Sequence, residues 1–68
     1  MLKEYEVVTL RQSTPEIPLP PGTRGTVLIV YAADPPTYEV EFVDGGGESL
    51  GTYTARAAEL APADSAND

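Results

Sequence analysis

The chain has 68 residues and a net charge of −7 at pH 7, with eleven aspartates and glutamates against four lysines and arginines. A chain of this length forms one domain that buries only about 60% of the surface exposed by its unfolded form, so the hydrophobic core must be thin. Cysteine and histidine are absent, which excludes disulfides, the usual zinc sites and catalysis by an imidazole or a thiol.

The charge balance also restricts the partners. Lys3, Arg11, Arg24 and Arg56 are scattered among the acids, whereas nucleic-acid binding needs clustered cations that neutralise phosphates. The sequence therefore disfavours RNA and DNA and favours a basic protein partner, with acidity for solubility alone as the alternative. No apolar run approaches the ~18 residues of a membrane span, and the N-terminus lacks the charge order of a signal peptide, which predicts a cytoplasmic protein with no membrane contact.

The first half of the chain predicts two strands separated by a long proline-rich loop. Residues 5–10 form the first strand, and prolines keep residues 11–22 from pairing as an interior strand. Ile17 and Leu19 are expected to close one end of the fold, and Gly22 should adopt positive φ in a type II turn. The apolar run 26–31 predicts a second strand buried on both faces, with Gly25 at a bulge or at a close backbone approach and Tyr31 in the core.

The third predicted strand, residues 38–43, has the clearest alternation. Tyr38, Val40 and Phe42 should point inward while Glu39 and Glu41 point outward, because a one-residue slip would bury both carboxylates.

The glycines at 45–47 predict a three-residue hairpin loop, with Gly47 at positive φ. In that register Asp44 lies opposite Glu48, Phe42 opposite Leu50 and Val40 opposite Thr52. Tyr53 would then stand on the outer face, opposite Glu39 and diagonal to Glu41.

The rest of the chain predicts a fourth strand at 48–54, a 3₁₀ turn before residue 60 and a brief last strand at 60–61. Residues 63–68 are predicted to be a disordered tail behind a domain that spans residues 1–62. The predicted fold is all-β, a small five-stranded antiparallel SH3-like barrel with a 3₁₀ turn before the last strand.

Three segments carry a resemblance: Leu19 to Val27, Tyr38 to Phe42, and Leu60 to Pro62. Over about residues 5–62 the chain resembles a family of short bacterial SH3-like proteins catalogued as a domain of unknown function. More distantly it resembles KOW-like barrels and the nitrile hydratase β-subunit. The resemblance implies an SH3-like fold and neighbours that are toxin-like proteins, and it supplies no functional residues.

The inventory of side chains indicates a non-enzymatic interaction module without a metal or a cofactor. We expect Glu39, Glu41 and Tyr53 to form the partner-binding surface of an acidic protein that binds, and in an antitoxin-like or immunity-like form neutralises, a basic protein. The alternatives are a KOW-like RNA or ribosome-associated module that uses Arg11 and Arg24, and an accessory subunit of a larger enzyme. The predicted state is a monomer or a weak homo-oligomer.

Overall fold

The computed structural model describes residues 2–63. Its elements are β1 (Val7–Leu10), β2 (Arg24–Tyr31), β3 (Thr37–Val43), β4 (Ser49–Arg56), a 3₁₀ turn (Ala57–Glu59) and β5 (Leu60–Pro62). The strands form one antiparallel sheet in the order β4-β3-β2-β1-β5. The prediction of an all-β fold with five antiparallel strands and a 3₁₀ turn before the last strand is confirmed.

The hydrophobic core lies on the inner face of this sheet. Tyr38, Val40 and Phe42 of β3 are fully buried, as their alternation with the two glutamates predicted. Ile17, in the long loop between β1 and β2, is also fully buried, and Leu19 packs beside it. The packing of both side chains agrees with the prediction that they close one end of the fold. The remaining core side chains come from the other strands: Val8, Leu10, Val27, Ala55 and Leu60.

The predicted first strand begins two residues too early. The structure places a turn before β1, in which the Glu6 N–H donates to the Lys3 carbonyl at 3.1 Å and the Lys3 N–H donates to the Glu6 carboxylate at 2.9 Å. Tyr5 lies within this turn at φ 68°, a conformation that side chains other than glycine rarely adopt. Tyr5 is 69% exposed.

The prediction that the apolar run of β2 is buried on both faces is wrong. The pairing with β3 shifts between Val27 and Ile29, so that Val27 faces the core whereas Ile29 and Tyr31 face outward. Ile29 is 45% exposed and Tyr31 is 43% exposed, which also contradicts the placement of Tyr31 in the core. Within residues 2–63 no further element covers the outer face of the sheet there, so the apolar run buries only one of its two sides.

The hairpin between β3 and β4 follows the predicted register only next to its turn. The Asp44 N–H donates to the Glu48 carbonyl and Val43 pairs with Ser49, but a bulge then shifts the pairing by one residue. Phe42 consequently pairs with Gly51 rather than Leu50, and Val40 pairs with Tyr53 rather than Thr52. The predicted register would have turned Thr52 and Thr54 toward the core, where an unpaired hydroxyl is costly.

Two turn glycines and one close approach are confirmed. Gly22 has φ 88° and Gly47 has φ 85°. A Cβ atom on Gly25 would lie 2.7 Å from Val40 Cγ1 and 2.9 Å from Phe42 Cδ1, so the backbone of β2 does approach β3 side chains closely there. Ala63 is only 3% exposed, so packed structure reaches one residue past the predicted boundary. The rest of the predicted tail lies outside the described residues.

Candidate protein-binding surface

The outer face of the sheet places apolar and acidic side chains in neighbouring rows. Cross-strand partners lie on the same face of a sheet, and the register pairs Ile29 of β2 with Glu39 of β3, and Thr26 with Glu41. Val7 of β1 pairs with Thr26 and extends that second row. The outer face therefore presents an apolar stripe on β1 and β2 beside a carboxylate stripe on β3.

The carboxylate stripe consists of Glu39 and Glu41, which the structure brings to one face as predicted. Their positions on one strand are two residues apart, which corresponds to roughly 7 Å along the strand. Both are partly exposed. Thr54 of β4 donates its hydroxyl to Glu39 Oε1 at 2.8 Å and so fixes the direction of that carboxylate.

Tyr53 does not join these carboxylates. The bulge in the hairpin turns it to the same side as Val40, where its ring lies 6.1 Å from the ring of Phe42 at an angle of 55°. Tyr53 is partly buried against the core at the edge of the sheet. The predicted place of Tyr53, on the outer face opposite Glu39, is therefore wrong, and its role in partner binding stays a prediction.

The apolar stripe was missed by the sequence analysis. Val7, Ile29 and Tyr31 are each between 43% and 45% exposed, which is high for large apolar side chains. The signal in the sequence is the run of apolar residues in β2, for which two-sided burial is the wrong prediction. A run of this kind also fits a strand with one buried face and one apolar face that a partner covers.

A pocket of about 360 Å³ lies beside β4 and the 3₁₀ turn, lined by Glu16, Thr54, Arg56 and Glu59. Glu59 is 6% exposed. Its Oε1 accepts a hydrogen bond from the backbone N–H of Arg56 at 2.8 Å, and its Oε2 lies 3.4 Å from the guanidinium of the same residue. The side chain of Arg56 is 67% exposed. The carboxylate therefore has a short hydrogen bond from a backbone group and a longer, weaker contact with an exposed cation.

A second groove, of about 470 Å³, separates the end of the long loop from the hairpin between β3 and β4. Its walls include Pro20, Pro21 and Leu50, and Leu50 is exposed because the bulge turns it away from the core. Arg24 and Asp44 stand at the same groove with opposite charges. The Oδ1 atom of Asp44 accepts the N–H groups of Gly46 and Glu48, so this carboxylate serves the turn.

The charges of the described residues are mostly unpaired. Within residues 2–63, Arg56 and Glu59 form the one ion pair, and the other acidic side chains act on the surroundings without an internal counter-charge. The same residues contain no group of three potential metal ligands. None of the described helical segments has the length and apolar character needed to cross a membrane.

The comparison with protein families places the chain in a family. Residues 4–62 match the model described as a domain of unknown function, DUF4926. The chain belongs to this family. The match covers every strand of the DUF4926 domain, from the turn before β1 to the end of β5.

Membership of a family of unknown function, predicted from the Leu19 to Val27 run and its companions, is thereby confirmed. The bacterial origin and the SH3-like character that accompanied it stay predictions. No curated protein matches this DUF4926 chain, and no solved structure matches it.

Proposed function

We propose that the protein is a non-enzymatic interaction module that binds a basic protein through the outer face of β2 and β3. One observation carries the proposal: exposed Ile29 pairs with Glu39 across the strands, and Tyr31 and Glu41 lie on the same outer face, each two residues away along its own strand. Apolar side chains supply affinity when a partner covers them, and adjacent unpaired charges select the sign of that partner.

The charge of the whole chain supports a basic partner. A net charge of −7 on so small a protein attracts a cationic surface and repels nucleic acid. Arg11 and Arg24, the residues that an RNA-binding module would use, are exposed. Arg24 lies on the outer face, but its row of that face is next to the row of Thr26 and Glu41, whose carboxylate would repel a phosphate bound there. The geometry therefore supports a protein partner better than an RNA.

The finer form of the proposal is that binding neutralises the partner, as an antitoxin or an immunity protein does. A partner with a functional basic surface, such as one that contacts phosphates, loses that function when a carboxylate stripe covers it. The support for this form is charge complementarity and the predicted neighbourhood of toxin-like proteins.

Capture from the native host tests the proposal. The full chain carrying Glu39→Lys and Glu41→Lys is compared with the wild type and with a control carrying Glu4→Lys and Glu48→Lys. Both variants change the net charge equally, but the control positions are exposed residues outside the strands. We expect the wild type and the control to retain the same basic protein and the outer-face variant to lose it.

Binding kinetics against the captured protein then distinguish the contribution of the carboxylate stripe from that of the apolar stripe. Reversal of the glutamates should lower the association rate and its dependence on salt, because long-range attraction is removed. Ile29→Thr with Tyr31→Thr should raise the dissociation rate, because contacts are lost only after docking. Wild-type kinetics in both variants would show that this face is only solvated surface.

A further inference from the structure

One edge of the sheet is unoccupied along the described part of the chain. β4 is the terminal strand, and residues 2–63 contain no strand that pairs with it on the side away from β3. Edge strands of this kind present unpaired N–H and C=O groups to any extended chain nearby.

The hydrogen bond of Arg56 shows which backbone groups face outward. The Arg56 N–H donates to the carboxylate of Glu59 at 2.8 Å and therefore points away from β3. Because backbone groups alternate in direction along a strand, the N–H and C=O groups of Thr54 and Thr52 also point away from β3. The Glu59 carboxylate ends the free edge by occupying the position that a carbonyl of a sixth strand would take.

The edge of β4 lacks the features that protect the opposite edge. β5 has three residues and ends in Pro62, whereas β4 has eight residues, without lysine or proline. Short length and proline discourage strand addition at β5. The part of β4 from Thr52 to Arg56 lies beyond the bulge and pairs with β3 without a further register shift, so its free edge offers evenly spaced backbone groups.

The surroundings of this edge are acidic. Glu16 and Glu59 line the pocket beside Thr54, and Glu39 receives the Thr54 hydroxyl on the neighbouring strand. Arg56, the one cation of β4, also lines this pocket and pairs with Glu59, so the surplus negative charge of the pocket comes from Glu16. Two copies of the chain would bring together net charges of −7, which disfavours pairing of β4 with a second copy.

We propose that the free edge of β4 binds an extended basic segment of the partner as a sixth strand. The backbone of Thr52 and Thr54 pairs with the segment, and a lysine or arginine of the segment enters the pocket of Glu16 and Glu59. Side chains on the other face of the added strand cover the half-buried ring of Tyr53. The inference rests on the proposed function for the basic character of the partner and adds where and how its chain is held.

A blocked peptide of alternating arginine and valine tests the inference on the ¹⁵N-labelled full chain. We expect the peptide to shift the amide resonances of Thr52 and Thr54 and to slow their exchange with solvent. A peptide of the same sequence with every internal amide N-methylated should lose detectable binding, because it cannot donate to the edge. A peptide of alternating glutamate and valine should also fail to bind.

Variants of the chain provide a second measurement. Thr54→Pro removes an N–H that faces away from β3, so the sheet keeps its existing bonds while peptide affinity falls about tenfold or more. Thr54→Val is the matched control and should bind as the wild type does. Glu16→Gln should weaken peptide binding, whereas Glu48→Gln, in the hairpin turn, should leave it unchanged.

Several outcomes would overturn the inference. They are absence of peptide binding at millimolar concentration, equal binding of the N-methylated peptide, and shifts of Thr52 and Thr54 with protein concentration alone, which would assign the edge to a second copy. Shifts confined to Ile29, Tyr31, Glu39 and Glu41 would also overturn it while supporting the proposed function. If the peptide binds at the edge and the Glu39→Lys, Glu41→Lys variant still captures the partner as the wild type does, the inference about the edge is supported and the proposed function of the outer face is contradicted.

Discussion

Backbone conformation at single residues controls the two tightest turns of the molecule. Gly22 follows Pro21 in a turn closed by the Thr23 N–H, which donates to the Pro20 carbonyl at 3.2 Å. Gly47 closes the hairpin loop, where its N–H donates to the Asp44 carbonyl at 3.0 Å. Both glycines have positive φ and open space around the position of a Cβ atom, so backbone strain alone decides the effect of a side chain there.

Replacement of either turn glycine by valine should therefore destabilise the fold by about 1–2 kcal/mol. Gly45→Val is the matched control, since Gly45 lies in the same loop, has open space and is not at positive φ. Its free energy of unfolding should stay within about 0.5 kcal/mol of the wild type. Urea denaturation measures all three variants, and equal stabilities across them would contradict the turn assignments.

Gly25 is needed for a different reason: its backbone conformation suits any residue, but there is no space for a side chain. A Cβ atom at this position would meet Val40, Phe42 and the carbonyl oxygen of Glu41, all at 3.0 Å or less. Gly25→Ala should destabilise the fold by roughly 1–3 kcal/mol through overpacking.

A double-mutant cycle with Val40→Ala checks the cause, since removing Val40 Cγ1 gives room to the new methyl group. The double variant should be more stable than the sum of the two single changes predicts. Strictly additive effects would contradict a steric origin.

The hairpin of β3 and β4 shows what the sequence predicts at the level of an element and what it does not. The alternation of β3 predicted its inward and outward side chains, because no other register keeps Glu39 and Glu41 in water. The bulge at Leu50 could not be predicted in this way. A bulge of one residue has no distinct signature in the local composition of the strand. It is favourable here because it turns Tyr53 and Ala55 toward the core, which the rest of the chain builds.

From the position of the bulge we predict how much two side chains of β4 contribute to stability. Leu50→Thr should change the free energy of unfolding by no more than about 0.5 kcal/mol, because Leu50 is exposed beside the bulge. Tyr53→Thr should cost clearly more, because it removes the ring packed on Phe42. Thermal unfolding of both variants measures the ranking, and a larger cost for Leu50→Thr would instead support the register in which Leu50 faces Phe42.

At the scale of the whole molecule, the sequence predicted the fold class and one half of the candidate surface. Turn residues and period-two alternation act locally, so they determined the number and order of strands. The apolar half of the surface depends on which face of β2 the rest of the chain covers, and Ile29 and Tyr31 do not carry that information themselves. The acidic pocket at Glu59 likewise exists only because the 3₁₀ turn folds back on the end of β4.

The net charge of the whole chain predicts how the melting temperature depends on salt. Eleven acidic groups on a small surface repel one another, and this repulsion opposes the compact state more than the expanded one. Raising the ionic strength from about 0.01 M to about 0.15 M shortens the Debye length from roughly 30 Å to roughly 8 Å and screens much of that repulsion. The melting temperature should therefore rise with added sodium chloride.

The Glu4→Lys, Glu48→Lys variant tests this origin, because it changes the net charge from −7 to −3 and leaves Glu39 and Glu41 in place. Its melting temperature should be higher than that of the wild type at low salt and should depend less on salt, as circular dichroism would show. An equal salt dependence in both proteins would mean that the acidic surface does not strain the fold, and that its charges act only on molecules outside it.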